Sequence, residues 1–176
     1  MQYIIENLEP KLSKWCILEY SHIIKIVKNP LFTNIKPTNK LKAEQKSTPV
    51  KKLNLKNACI LDPNAKKTLT PSDKFDYLIF GGILGDDPPQ KRTNLINMKA
   101  EKRNLGKEQM STDTAVLVAK LITEGTPLEN LKFKDEIEIP MQDNESVILP
   151  FRYLIENNKP VLAEGLIEYL KKKQSF

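Results

Sequence analysis

Residues 77–84, YLIFGGIL, are apolar from end to end. A strand with one wet face alternates polar and apolar residues, so an unbroken run reads as a strand buried on both faces. That is the condition of a parallel sheet with helices on either side. Residues 58–61, ACIL, repeat the pattern. A shorter apolar run at Tyr3, Ile4, Ile5 and Leu8 predicts a further strand, as do Ile137 with Ile139 and 147–149 with Phe151 and Tyr153, while 31–35 is a short apolar run leading into the lysine-rich segment. Helical spacing falls between them. Ser13 is a suitable N-cap for a helix carrying Trp15, Cys16, Tyr20, Ile23, Ile24 and Val27, stopped at Asn29-Pro30. Ser111 opens a second helix that Gly125 and Pro127 close, and a third is expected over 163–173. The alternation predicts an α/β fold, and 176 residues with 40% apolar content suit a single domain over 1–176.

The apolar strand runs straight into the densest glycine cluster of the chain. Average proteins hold more glycine (about 7%) than proline (about 5%), whereas this chain has 6 glycines and 12 prolines. Four of the six are Gly81, Gly82, Gly85 and Gly106. At the carboxyl end of a buried strand they mark either a glycine-assisted turn with solvated aspartates or a place where a ligand approaches the backbone, since open α/β sheets bind ligands at that end. A dinucleotide site is excluded, because Asp86-Asp87-Pro88-Pro89 puts two like charges and a helix-hostile pair where a helix must receive pyrophosphate. A P-loop is excluded as well, because Glu101 stands where its first glycine belongs and Glu108 replaces the required Ser or Thr. An acidic pair beside glycines repels phosphate but admits a cation, such as a sulfonium or an arginine side chain. The segment RNLGKEQMSTDTA (103–115) adds Gly106, an apolar Met110 and a run of short polar side chains at a helix start. Those side chains either cap the helix or belong to a loop wrapping a planar polar ligand.

Glu19 falls on the apolar stripe of the first helix, amid Trp15, Ile23 and Ile24. A carboxylate there is costly unless paired. Either a lysine or arginine satisfies it, or it faces a pocket as a functional group with an altered pKa. Only Arg92, Arg103 and Arg152 are arginines, and two of them lie in or beside the glycine motifs. The net charge of +6 is concentrated in residues 36–57, which hold seven lysines and the single acid Glu44. This aromatic-free segment reads as a flexible connection or weak helix, solvated or touching phosphate without base specificity. Cys16 and Cys59 lie in apolar runs, as core thiols of a reducing compartment do. With one histidine, they cannot build a tetrahedral zinc site. No signal-like segment and no apolar run of membrane-spanning length occurs, so a cytoplasmic location is expected.

Taken in order, WCILEYSHI (15–23), CILDP (59–63), FDYLIFGGILGDDPP (75–89), RNLGKEQMSTDTA (103–115), LPFRY (149–153) and GLIEYL (165–170) resemble a small branch of the SPOUT superfamily of S-adenosylmethionine-dependent methyltransferases. Its best-known fungal member methylates an arginine of a small-subunit ribosomal protein, and other members are ascribed to RNA. The resemblance implies a parallel sheet flanked by helices whose C-terminal part forms a deep trefoil knot. It also implies three loops around the cofactor. They are Leu61, Asp62 and Pro63; then Phe80, Gly81, Gly82, Ile83, Leu84 and Gly85; then Arg103, Asn104, Leu105, Gly106, Met110, Ser111, Thr112 and Thr114. Glu19 and Asp86 are the implied carboxylates for a substrate guanidinium, and S-adenosylhomocysteine is the implied product. Asp87 stands where the family has histidine as often. A ribosomal-protein substrate and a monomer are the favoured expectations. The alternatives are RNA methylation of tRNA or rRNA with contact through the lysine segment, a dimer, and a binding protein that has lost catalysis.

Overall fold

A computed structural model describes residues 1–82, 95–141 and 145–173. Its centre is a six-stranded sheet built from β1 (Gln2–Asn7), β2 (Leu31–Thr33), β3 (Glu44–Gln45), β4 (Ala58–Leu61), β5 (Tyr77–Gly82) and β6 (Glu101–Arg103), in the order β3-β2-β1-β5-β4-β6. Every pairing is parallel. The unbroken apolar runs have the burial they predict: Ile4, Ile5, Cys59, Ile60, Leu78 and Ile79 are all fully buried. One face packs under helices α1 (Lys14–Ile26) and α2 (Thr112–Thr123), and Leu31, Val50, Ile60, Ile79 and Ile96 pack together as a separate core cluster.

Helix α1 carries the start signal read from sequence, and α2 the stop signal. The Ser13 hydroxyl accepts a hydrogen bond from the Cys16 amide at 3.1 Å. Ser13→Ala is therefore expected to lower stability by ~1 kcal/mol, read as a shift of the urea midpoint at unchanged slope. At the other helix, Gly125 takes φ +114°, its amide reaches Ile122 O and the next amide reaches Leu121 O. This Schellman arrangement satisfies the last carbonyls and needs a residue that tolerates a left-handed conformation.

The second half departs from the parallel alternation. β7 (Phe133–Pro140), β8 (Ser146–Glu156) and β9 (Lys159–Pro160) form a separate antiparallel sheet, against which α3 (Leu166–Lys173) packs. The cause lies in the side chains: Ile137 and Ile139 are buried while Glu136 and Glu138 are exposed, and a strand with one dry face suits an antiparallel ribbon. A bulge at Glu136, at φ +62°, shifts the register between Asp135 and Ile137.

The lysine-rich segment 36–57 carries β3 and a 3-10 turn at Val50–Lys52. Leu41 and Val50 are buried, and the carboxylate of Glu6 on β1 accepts the Val50 amide at 2.9 Å. The Gln45 side chain donates to the carbonyls of Thr38 and Leu41 and accepts the Thr38 amide. Lys36, Lys40, Lys42, Lys46, Lys51, Lys52 and Lys56 all remain exposed.

Candidate active site

Parallel strands present their carboxyl ends on one rim, where β1, β5 and β4 stop at Asn7, Gly82 and Leu61. The chain leaves β1 for β2 on one side, whereas β4 and β6 lie on the other side of β5, so the crossover direction reverses beside β1 and β5. Helix α1 meets this rim at Gly82. A Cβ on Gly82 would lie 2.2 Å from the Tyr20 hydroxyl and 2.9 Å from Ile5 Cγ2. That hydroxyl is itself held, donating to Asn7 Oδ1 at 3.0 Å. The close approach inferred at Gly82 is therefore made by a side chain of α1, which fits only against a bare Cα.

The start of α2 meets the same rim. Thr112 Oγ1 lies 3.5 Å from the Gly81 carbonyl, and α2 packs on α1. Their contact buries two carboxyls. Glu19 is only 4% exposed and accepts the Trp15 indole N–H at 2.8 Å, with further support from the Thr112 backbone. Among the described residues, no lysine or arginine pairs with it. The charge that acts on it most strongly is Asp113, a like one. Burial first, and Asp113 second, push the Glu19 carboxyl well above the usual carboxylate range, against the pull of the Trp15 and Thr112 hydrogen bonds. Asp113 is equally buried, and its Oδ1 accepts the Ser111 hydroxyl at 2.7 Å and the Thr114 amide at 3.0 Å. Its Oδ2 lies 2.7 Å from Nδ1 of His22. Beside them is the Tyr153 hydroxyl, fully buried and without a hydrogen-bond partner of ordinary geometry among the described residues. Burial, then the charges of Glu19 and Asp113, push its phenol up, against a weaker pull from the nearby Ser111 hydroxyl. Two acids, a histidine and an unsatisfied phenol thus come together beside the sheet's carboxyl rim.

Residues 2–175 match the family described as "Protein arginine N-methyltransferase SFM1-like". It is 37% identical to the protein arginine N-methyltransferase SFM1 of Saccharomyces cerevisiae over 98% of this chain and 95% of the yeast protein. The chain belongs to the SFM1-like family. Crystal structures of the yeast enzyme agree with this fold: the complex with SAM matches at TM-score 0.91 and 35% identity, covering 99% of this chain and 92% of that one. The complex with SAH matches at 0.89 and 36%, covering 97% and 94%. A dual-specific Trm10 from Thermococcus kodakaraensis shares the fold alone, at TM-score 0.58 and 16% identity over 73% of this chain and 96% of that one.

Within this SFM1-like chain, two of the three expected loops are knitted together. The Asp62 amide donates to Arg103 O, the Asn104 amide to Lys67 O and the Leu69 amide to Asn104 O. The third is joined through α2 at Gly81. Several side chains expected at the cofactor are committed elsewhere. Phe80 is buried in the core near Tyr3, and the Arg103 guanidinium is paired with Asp73 at 2.9 Å and Glu101 at 2.8 Å over the Phe75 ring. Asn104 spans Ala65 O, Thr68 and the Gly106 amide. Burial raises the Asp62 carboxyl, but Lys102 at 2.9 Å and Asn64 outweigh it and hold the group below its ordinary range. Leu61, Leu105, Ser111, Thr112 and Thr114 are buried, Met110 is half-buried, and Pro63 is exposed. Gly106 sits at φ +98°. Ile83, Leu84, Gly85 and Asp86, with Asp87 and Arg92, lie outside the described residues.

Ser111 occupies the N-cap position of α2 but caps no amide with its side chain. Its hydroxyl is given to Asp113 instead, so the polar run serves the carboxyl pair rather than the helix end. Asp113, His22, Trp15 and Tyr153 are absent from the sequence-derived site. Trp15 is within reach of sequence reasoning, standing four residues before Glu19 on the same helical face; the others come together only through the fold. Among the described residues, no group of three or more His, Cys, Asp or Glu is placed to hold a metal ion, and no helix is long and apolar enough to cross a membrane.

Proposed function

We propose that this chain methylates an arginine side chain of a protein, with S-adenosylmethionine as methyl donor and S-adenosylhomocysteine as product. One observation carries the assignment: Glu19 is buried beside a second acid, with no cation among the described residues to neutralise it. A guanidinium is the planar, bidentate cation that such a carboxyl suits. The yeast relatives in complex with SAM, SAH and MTA support the donor.

The residues fit that donor. When bound, it supplies a methyl group on a positively charged sulfur. A cation of this kind suits a rim with two acids nearby and an unsatisfied buried hydroxyl at Tyr153. The three loops at 61–63, 80–85 and 103–114 are assigned to hold it, with backbone groups at Phe80, Arg103 and Asn104, whose side chains have other partners. Glu19 receives the substrate guanidinium and orients one nitrogen toward the methyl, and Asp86 keeps its assignment as a carboxylate for the same group. Alignment of that nitrogen is the main contribution, since holding two reactants in line is worth roughly 7–11 kcal/mol. The trefoil knot is part of the proposal, supported by the grip of residues 65–69 on Asn104.

A ribosomal protein in the cytoplasm is the favoured substrate, methylated by a monomer made of one domain. The exposed lysines of 36–57 suit a protein target that sits on RNA. They also support the second reading, methylation of RNA itself. The two separate in one experiment. A lysate from cells lacking the enzyme is incubated with the chain and methyl-labelled donor, then divided into protein and RNA. Label in protein is expected; label confined to RNA overturns the assignment.

A further inference from the structure

Methylating a guanidinium nitrogen forms an N–C bond, breaks the donor's C–S bond with its electron pair left on sulfur, and expels one N–H proton, because the product guanidinium keeps its charge. Glu19 and Asp113 are 4% and 2% exposed, so this proton needs a way out. Glu19 also carries its own proton more readily than an exposed acid does, and must give it up when a guanidinium arrives.

The only titratable side chain that joins the acid pair to an open surface among the described residues is His22. Its Nδ1 faces Asp113 Oδ2 at 2.7 Å, and its side chain is 15% exposed against 3% for Asp113. The same ring lines a groove of about 610 Å³ between α1 and residues 162–165, walled by Leu18, Lys25, Ile26, Leu162 and Glu164. Lys25 and Glu164 pair at its mouth and are themselves 63% and 83% exposed, so the groove opens into water. An imidazole accepts a proton at one nitrogen and releases one from the other. The groups that face it are Asp113 from α2, Glu19 and Lys25 from its own helix, and Glu164 from the segment before α3.

We infer that His22, held by Asp113, is the proton outlet of the site, passing the proton displaced from the guanidinium into the water of the α1 groove. The inference rests on the arginine-methylation reading. His22 does not touch the reacting atoms and is a positioning and relay group, so its removal acts on the pH dependence of turnover rather than on donor binding. The balance is complete without a co-reactant: the proton Glu19 gives up on substrate binding leaves first through Asp113 and the ring to water, and the proton displaced from the guanidinium follows the same route after transfer.

The test uses the full chain with its protein substrate and labelled donor. His22→Ala is expected to lower kcat about 10²-fold, the low end of acid–base contributions. The loss should shrink as pH falls, since a ring already protonated cannot take up the displaced proton, KM for the donor should stay unchanged, and added imidazole should restore turnover. His22→Gln fills the space and should lose turnover without imidazole recovery. S-adenosylhomocysteine affinity by calorimetry should stay at the unaltered value in both. Because His22 is the only histidine, its ring nitrogen resonances are self-assigned, and Glu19→Gln should move them. Unchanged pH profiles in both variants, or loss of product affinity with no imidazole recovery, would overturn the outlet. Absence of methylarginine with the unaltered protein would instead overturn the methyltransferase reading itself.

Discussion

Glu19→Gln should lower kcat/KM for the protein substrate by about 10²-fold or more while making the free protein harder to unfold. The two halves of this expectation have one cause. A charge-assisted hydrogen bond contributes about 1.5–3 kcal/mol, and each 1.36 kcal/mol is a factor of ten in rate, so losing a bidentate carboxylate–guanidinium contact reaches that size. Glutamine preserves the acceptor for the Trp15 indole N–H, which lies 2.8 Å from the carboxyl, so the site keeps its shape. Stability moves the other way because burial and Asp113 raise the Glu19 carboxyl in the folded protein. The folded state then binds its proton at a pH where the unfolded chain has released it. Stability from the protonated form is complete below the unfolded value of about 4.3 and is lost as pH rises toward and through the folded value. The advantage of Glu19→Gln should accordingly be absent near pH 4 and grow toward pH 8, by about 2–4 °C in Tm for each kcal/mol recovered. Equal melting temperatures at both pH values would contradict the burial of an uncompensated acid.

Gly82→Ala is expected to damage the fold before it touches any ligand. The new methyl would lie 2.2 Å from the Tyr20 hydroxyl and 2.9 Å from Ile5, both fully buried. Tyr20 cannot swing away without breaking its 3.0 Å bond to Asn7. Overpacking of this kind costs about 1–3 kcal/mol and the hydrogen bond about 0.5–1.5 kcal/mol more. A loss of roughly 2–4 kcal/mol in urea unfolding follows from these terms. In a Tyr20→Phe background the hydroxyl is gone, and the same substitution should cost at least about 1 kcal/mol less. If Gly82→Ala unfolds like the unaltered protein and loses only S-adenosylhomocysteine affinity, the glycine serves the ligand directly.

These two residues also show where sequence is informative. The apolar runs at 58–61 and 77–82 specify strands buried on both faces, because periodicity reports burial directly. Glu19 stands out for the same reason, as a charge on an apolar stripe. Its partner does not. Asp113 comes from 94 positions away along a chain whose local pattern, STDT, reads equally well as a helix cap. His22 and Tyr153 likewise gain their meaning only where α1, α2 and β8 converge. Gly82 is legible as a site of close approach but not as to what approaches it, since spacing cannot tell a ligand from a tyrosine of the next helix. The antiparallel β7–β9 sheet is open to reading in the alternation of Ile137 and Ile139 with Glu136 and Glu138, but the preceding parallel strands suggest more of the same.

The claim at the centre is that the buried pair of Glu19 and Asp113 exists to take an arginine. It is tested most directly by amino-acid analysis of protein labelled by the chain with methyl-labelled donor, in parallel with Glu19→Gln. Methylarginine from the unaltered chain, reduced about 10²-fold in the variant, is the expected result. Label in nucleotides or in another amino acid, or methylarginine undiminished by the substitution, would contradict it.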